Sequence, residues 1–288
     1  MTNIVFLILN YKTYQDTIRV TNELLETSRD NFRILIVDNE SPNESYKIIK
    51  QTFVSNPFVD VIASHENGGY AKGNNYGLHY MKKYDPEYVC IINNDVHFTW
   101  DTIDGLIEMY HSLERPAIVT PIQLLPDKSR ASFPELSCPS FLTDLKGYFF
   151  IKKPTHEYKD STGLNAQKVD IIPGAFLFIK YSVFENVGFF NESTFLFCEE
   201  RFTYKKTSSQ GLCNYICLDY SYVHEHSKTI STEANIIKQN RYLCNSQIAY
   251  TKQYRSFPIV KSLLLELSFL FFSSAVRISK QLKRFHHE

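Results

Sequence analysis

The sequence predicts an α/β fold built on a parallel sheet, and three observations carry that expectation. Over residues 4–95, short apolar runs suited to buried strands alternate with stretches of helical periodicity. Each run gives way to polar residues, at Asn10, Asp38, Asn67 and Asp95. One of them, Tyr88-Val89-Cys90-Ile91-Ile92, leads straight into Asn93-Asn94-Asp95. Strand ends that meet along one edge of an open sheet make a crevice, and a crevice lined by amides and carboxylates is where such sheets bind ligands.

Residues 4–9 read as the first buried strand. The run stops at Asn10 and has neither the basic start nor the cleavage site of a secretory leader. A helix is expected over 15–27, with Ile18, Leu24 and Leu25 inward, then a strand over 33–37 ending in Asp38-Asn39-Glu40-Ser41-Pro42. A helix over 44–54 and a strand over 59–63 follow. The next strand end opens into Asn67-Gly68-Gly69-Tyr70-Ala71-Lys72-Gly73-Asn74-Asn75, and a helix continues from it to Tyr84. No Gly-x-Gly-x-x-Gly follows the first strand and there is no Walker lysine, so a nucleotide would be held by another scheme.

The second part is less regular. Residues 126–168, rich in Pro, Ser and Lys, read as a long excursion that carries specificity. Pro173-Gly174-Ala175 leads into a strand over 176–179. A short helix over 182–186 is closed by Gly188, and a helix after Glu199-Glu200-Arg201 is closed by Gly211. Two short strands, 215–218 and 222–223, end at His224-Glu225-His226. Residues 1–230 are expected to form one domain and 231–288 a helical extension broken at Pro258. In that tail an apolar stretch of about ten residues reads as too short to span a bilayer. With the basic residues that follow, it suits a helix on an anionic membrane surface, or one that packs on the domain or a dimer partner.

Composition narrows the function. The 31 basic and 31 acidic residues balance, so no global field attracts nucleic acid. Six scattered cysteines show no paired metal spacing and read as reduced and packed, in a cytosolic chain.

With those residues in hand, the chain resembles the family-two inverting glycosyltransferases of the GT-A fold, and among them the rhamnosyltransferase-like enzymes of bacterial cell-surface polysaccharide synthesis. The likeness runs over residues 1–230. It rests on Leu9-Asn10-Tyr11, Val37-Asp38-Asn39-Glu40-Ser41, the 67–75 block, Asn93-Asn94-Asp95, and Pro173-Gly174-Ala175 with Gly188-Phe189-Phe190-Asn191-Glu192, in that order. It implies a Rossmann-like mixed sheet flanked by helices, with a C-terminal helical tail, that binds a UDP- or dTDP-sugar donor. Asn10 and Tyr11 would border the nucleoside and Asp38 would accept from the base imide. Asn67, Gly69, Lys72, Gly73, Asn74 and Asn94 would line the nucleotide and diphosphate. Asp95 would hold Mn²⁺ or Mg²⁺ as a Lewis acid on the leaving diphosphate, with His224 or His226 close by. Where the family places Glu-Asp, this chain has Glu199-Glu200. Glu200 would be the base and Glu199 its neighbour, the two remaining interchangeable at this stage. The acceptor would be a saccharide, lipid-linked, at the inner face of the membrane.

Two other functions use the same residues. A sugar nucleotidyltransferase would need a Gly-rich basic loop after the first strand, and residues 10–15 hold no Gly and one Lys. A non-catalytic saccharide- or transferase-binding partner would accommodate the departures at Asn93 and Glu200.

Overall fold

The computed structural model describes residues 3–27, 29–131, 136–149, 158–225 and 233–285. Its first part repeats one unit. β1 (Ile4–Asn10), α1 (Tyr14–Leu25), β2 (Phe32–Asp38), α2 (Ser45–Phe53), β3 (Val59–Ala63), α3 (Gly69–Met81) and β4 (Tyr88–Ile92) follow in order. β1 lies parallel to both β2 and β4, and β2 parallel to β3. The register pairs Asn10 with Asp38 and Asp38 with Ala63, so the polar ends finish level along one edge. All five residues of β4 are buried, as a strand covered on both faces requires.

α3 starts at Gly69, so most of the 67–75 block is helix rather than an open loop. Packing explains this. A Cβ on Gly73 would lie 2.6 Å from Leu9 Cδ1 and 3.1 Å from Asn39 Cγ, so the helix can lie this close to the strand ends only without a side chain there.

The second part comprises β5 (Val96–His97), α4 (Trp100–Ser112), β6 (Pro116–Leu124), α5 (Phe141–Gly147), β7 (Ala166–Val169), β8 (Phe176–Lys180), α6 (Tyr181–Asn186), α7 (Glu199–Ser209) and β9 (Cys213–His224). Residues 96–125, where the pattern reading assigns no element, supply β5, α4 and β6. Among the described residues the sheet has nine strands, with the order β3-β2-β1-β4-β8-β6-β9-β5 and β7 paired to β9. It is mixed, as the resemblance implies: β1 to β4 are parallel, as the alternation over residues 4–95 predicts, and the antiparallel pairs come from the later strands. β8 enters antiparallel between β4 and β6. That orientation sets the start of β8 beside the end of β4, and Asn93 N–H donates to Ala175 O at 2.9 Å. Tyr88 and Phe178 stack across the β4–β8 pair at 4.9 Å, which fixes that register.

β9 is one strand where two were expected. Its pairing with β6 jumps from Pro121↔Cys217 to Ile122↔Ser221, so residues 218–220 bulge out. The Tyr220 ring covers Gly105 of α4, where a Cβ would lie 2.0 Å from the ring. Gly188 and Gly211 both take positive φ, +76° and +69°, and end α6 and α7 as expected.

Apolar residues on the two faces of the sheet make separate buried clusters. Each fully buried Ile, Leu or Phe in them contributes about 1.5–3 kcal/mol. The tail folds back as α8 (Glu233–Tyr254) and α9 (Pro258–Phe285), with Pro258 as the first residue of α9, where its missing N–H costs nothing. Tyr250 of α8 packs with Cys198 and Phe202 at the start of α7. By length and composition, Pro258–Ser279 is long and apolar enough to cross a membrane, which corrects the expectation that the stretch is too short. All six cysteines are free.

Candidate active site

The crevice floor is a hydrogen-bonded chain across three strand ends. Asn94 Nδ2 donates to Thr13 Oγ1 at 2.7 Å and Thr17 Oγ1 at 2.9 Å. Thr17 Oγ1 donates to Asn10 Oδ1 at 2.8 Å, and Asn10 Nδ2 donates to Asp38 Oδ2 at 2.6 Å. Asp38 Oδ1 accepts from the Ser41 N–H at 2.8 Å. Asn10 and Asp38 are buried, yet a carboxylate with two oxygens retains acceptor capacity beyond these two bonds. Asn39 continues the chain toward β3, donating to Asn67 Oδ1 and Gly69 O at 3.1 Å each. Tyr11 stands over the crevice rim, 40% exposed.

The remaining residues of the 67–75 block divide. Gly73 and Asn74 face the sheet, and Asn74 Nδ2 donates to Tyr70 O at 2.9 Å. Lys72 lies on the solvent side, ion-paired to Glu66.

Beyond β4 the chain turns through Asn93-Asn94-Asp95 into β5. Arg19 grips that turn from below, donating to Asn94 O at 3.2 Å. The pairing of Val96 with His224 sets the end of β9 against the turn. His224 Nε2 lies 3.0 Å from Asp95 Oδ1, with both side chains about one-tenth exposed. The pair offers one oxygen and one imidazole nitrogen, a mixed donor set that fits Mn²⁺ better than the oxygen-preferring Mg²⁺ when phosphate oxygens complete the shell. Among the described residues no group of three such ligands gathers, so the protein alone forms an incomplete cage. His226 lies outside the described residues.

The two adjacent acids occupy the first turn of α7. Residues Phe197 and Cys198 precede them at φ 72° and 69°, successive left-handed conformations that cost energy for residues with a Cβ. Glu199 is buried and its Oε1 accepts from Thr194 Oγ1 at 3.0 Å. Burial, then the charge of Glu200, pushes the Glu199 carboxyl up to about 8. Glu200 is half-buried. Burial raises its carboxyl too, opposed by N–H groups at the helix start and at Gly174 and by the Arg201 charge. Glu199, Glu200, Tyr70 and Asn214 share a void of about 10 Å³, room for roughly one water.

Three residues with no role assigned from the sequence surround the site. Tyr70 O–H donates to Gly174 O at 2.7 Å, beside Glu200. Buried Tyr222 lies within electrostatic reach of both Tyr70 and Asp95. Arg201 donates from Nη1 to Asp144 Oδ1 at 2.8 Å and anchors the start of α7. Tyr70 lies in the 67–75 block, Gly174 in Pro173-Gly174-Ala175, and Arg201 directly follows the acids, but their partners lie far away in the chain and leave no local signal.

This geometry defines a polar crevice at the strand ends of a mixed α/β sheet, and the comparisons supply its class. The model for glycosyl transferase family 2 matches residues 5–187. The chain belongs to that family. It is 25% identical over 248 residues to the low-salt glycan biosynthesis hexosyltransferase Agl10 of Haloferax volcanii, covering 84% of this chain and 75% of the relative. It is 24% identical over 268 residues to the rhamnosyltransferase WbbL of Escherichia coli, covering 87% and 96%. Among solved structures it is similar to the mannosyltransferase PcManGT of Pyrobaculum calidifontis in complex with GDP-Man and Mn²⁺. The TM-score is 0.61 at 14% identity, over 96% of this chain and 73% of that one. GalNAc-T7 with UDP, GalNAc and Mn²⁺ gives a TM-score of 0.63 at 10% identity, over 86% and 48%. The fold is GT-A.

Proposed function

We propose that this glycosyltransferase moves one sugar, with inversion, from a UDP- or dTDP-sugar to a saccharide acceptor. The acceptor is lipid-linked, and the product belongs to a capsule, O-antigen or exopolysaccharide. The relatives, a hexosyltransferase of glycan biosynthesis and a rhamnosyltransferase, support that reading. The observation that carries it is the continuity between the Asp95–His224 pair and the Glu199–Glu200 pair through Ala175, Gly174 and Tyr70.

Asp38 takes the imide N–H of the base, with Asn10 and Tyr11 beside the nucleoside. Asn67, Gly69 and the turn at Asn94 shape the diphosphate side. Lys72, Gly73 and Asn74 support that wall, Gly73 and Asn74 from the sheet side. Asp95 and His224 would hold Mn²⁺ or Mg²⁺, which when bound supplies neutralisation of the diphosphate charge. Glu200 takes the proton from the acceptor hydroxyl as that oxygen bonds to the anomeric carbon. The bond from that carbon to the diphosphate oxygen breaks, and the nucleoside diphosphate leaves. A single displacement inverts the centre. Burial raises both carboxyls, so the coupled pair holds a proton more tightly than free acids do; Glu200, the half-buried member beside Gly174, is the base in this reading. Domain 1–230 performs this chemistry and 231–288 holds the chain at the inner face of the membrane.

Calorimetry with UDP and dTDP, with and without Mn²⁺, tests the donor side. Metal-dependent binding of one of them, abolished in Asp95→Ala, is the expected result. Folded protein that binds neither would overturn the assignment of Asp95.

A further inference from the structure

α9 is apolar on two opposite faces. Its inner face buries Leu265 and Phe269 against α8 and Tyr148. Its outer face exposes Val260 59%, Leu263 59%, Leu267 53%, Phe271 62% and Ile278 56%, at helical spacing over roughly 30 Å. A second element widens this surface, because the half-exposed Phe149 ring, just after α5, lies 5.5 Å from the Phe271 ring. An apolar patch of this extent is costly in water and marks a contact.

The charge identifies what makes the contact. α9 carries five basic residues, Lys261, Arg277, Lys280, Lys283 and Arg284, and a single acid, Glu266. That acid is already neutralised by Arg241 of α8, which donates to both its oxygens at 2.7 Å. The 31 basic and 31 acidic residues of the full chain balance, so the excess positive charge on α9 is local. A second copy would bring the same basic charge against itself. Crossing the bilayer would strip α9 from α8, breaking the Arg241–Glu266 pair and lifting the Arg241 guanidinium off the Phe269 ring, 3.9 Å below it.

We infer that α9, with Phe149 beside it, lies in the plane of an anionic bilayer surface, its outer stripe among the acyl chains and its basic end among the headgroups. This deepens the reading of a membrane-borne acceptor proposed above, but the contact itself does not depend on catalysis.

Flotation of the purified full chain with phosphatidylcholine vesicles, with and without phosphatidylglycerol, tests it. Binding to the anionic vesicles, weakened by salt, is expected. The combined change Leu263→Glu, Leu267→Glu and Phe271→Glu should lower partition at least tenfold, with an unchanged circular dichroism spectrum and melting temperature. Arg277→Gln should lower it about fivefold. Three outcomes overturn the inference: a monomer that floats with neither vesicle, a dimer that the triple change dissociates without lipid, and membrane-bound protein that resists alkaline carbonate extraction. Vesicle binding that persists in a chain unable to bind UDP or dTDP would sink the donor assignment and leave this inference standing.

Discussion

The N-terminal βα units and the region after β4 build their halves of the site from different materials. Along β1 to β4, the side chains that form the floor are Asn10, Thr17, Asp38 and Asn94, each at a strand end or one turn into the helix that follows. After β4, Glu200 depends on Gly174 of the β8 approach, Tyr70 of α3 and an anchor at Asp144 of α5. A site assembled from neighbouring βα units tolerates changes one unit at a time. A site held by pieces of distant chain fails wherever one tie is cut.

The sharpest way to separate the halves is Glu200→Gln. It keeps the shape and removes the base, so transfer should fall by about 10²–10⁴ while binding of the nucleoside diphosphate persists. Steady-state rates beside calorimetry read both quantities. Equal loss of binding would mean that the two halves are not separable.

Asp144→Ala asks whether the distant ties matter to the fold. Asp144 is 3% exposed and meets Arg201 at 2.8 Å, Arg255 at 2.8 Å and Gln247 at 3.1 Å. Removing the carboxylate leaves two guanidinium groups without their counter-ion, at a cost of about 3–5 kcal/mol. Urea denaturation checks this, and a loss below 1 kcal/mol would show that α8 does not brace the acids.

How much of this could be read from the sequence follows the same division. β1 to β4, α1 and α2 stand within one or two residues of the expected bounds, because each strand is an apolar run and each helix has a periodic face, whereas α3 starts several residues early, inside the Gly-rich block. Asn10, Asp38 and Asp95 were placed by the same logic. β6 was not legible, since Pro116 and Pro121 argue against an interior strand; Pro116 is tolerated as the first residue of β6 and Pro121 beside the bulge in β9. The direction of β8 was not legible either, because nothing local tells an apolar run which way its neighbour points. The Asp144 network belongs to the same class, since its partners lie more than fifty residues away.

Glu199→Gln sharpens the division of labour between the two acids. The Glu199 carboxyl is raised to about 8 in the folded protein, above its ordinary value of 4.5. The folded state therefore binds the proton more tightly than the unfolded state. The stability this gives is complete below pH 4.5 and is lost as pH rises through about 8. In that window the wild type should lose up to about 1.4 kcal/mol per pH unit relative to the variant. Transfer should fall less than tenfold, because Gln reproduces the protonated form. Thermal melts across pH would refute the assignment of the proton if the two curves ran parallel.

Gly69 is the point where the two regions touch, and it gives the most local test of the comparison. It starts α3 at φ +83°, and a Cβ there would lie 1.9 Å from Phe195 O. That carbonyl accepts from the Tyr70 N–H at 3.0 Å, so the helix that carries the 67–75 block is hung on the loop that leads to Glu199. Ala at this position must push the loop away or twist the helix start, at roughly 1–3 kcal/mol. The displaced element belongs to both halves, so donor binding and turnover should fall together, unlike the separable loss in Glu200→Gln. Gly147 is the matched control, since a Cβ there meets nothing within 4 Å and its φ is ordinary. Gly147→Ala should leave both quantities unchanged. If Gly69→Ala lowers turnover alone, α3 is not the element that transmits the contact, and the seam must run through Ala175 and Asn93 instead.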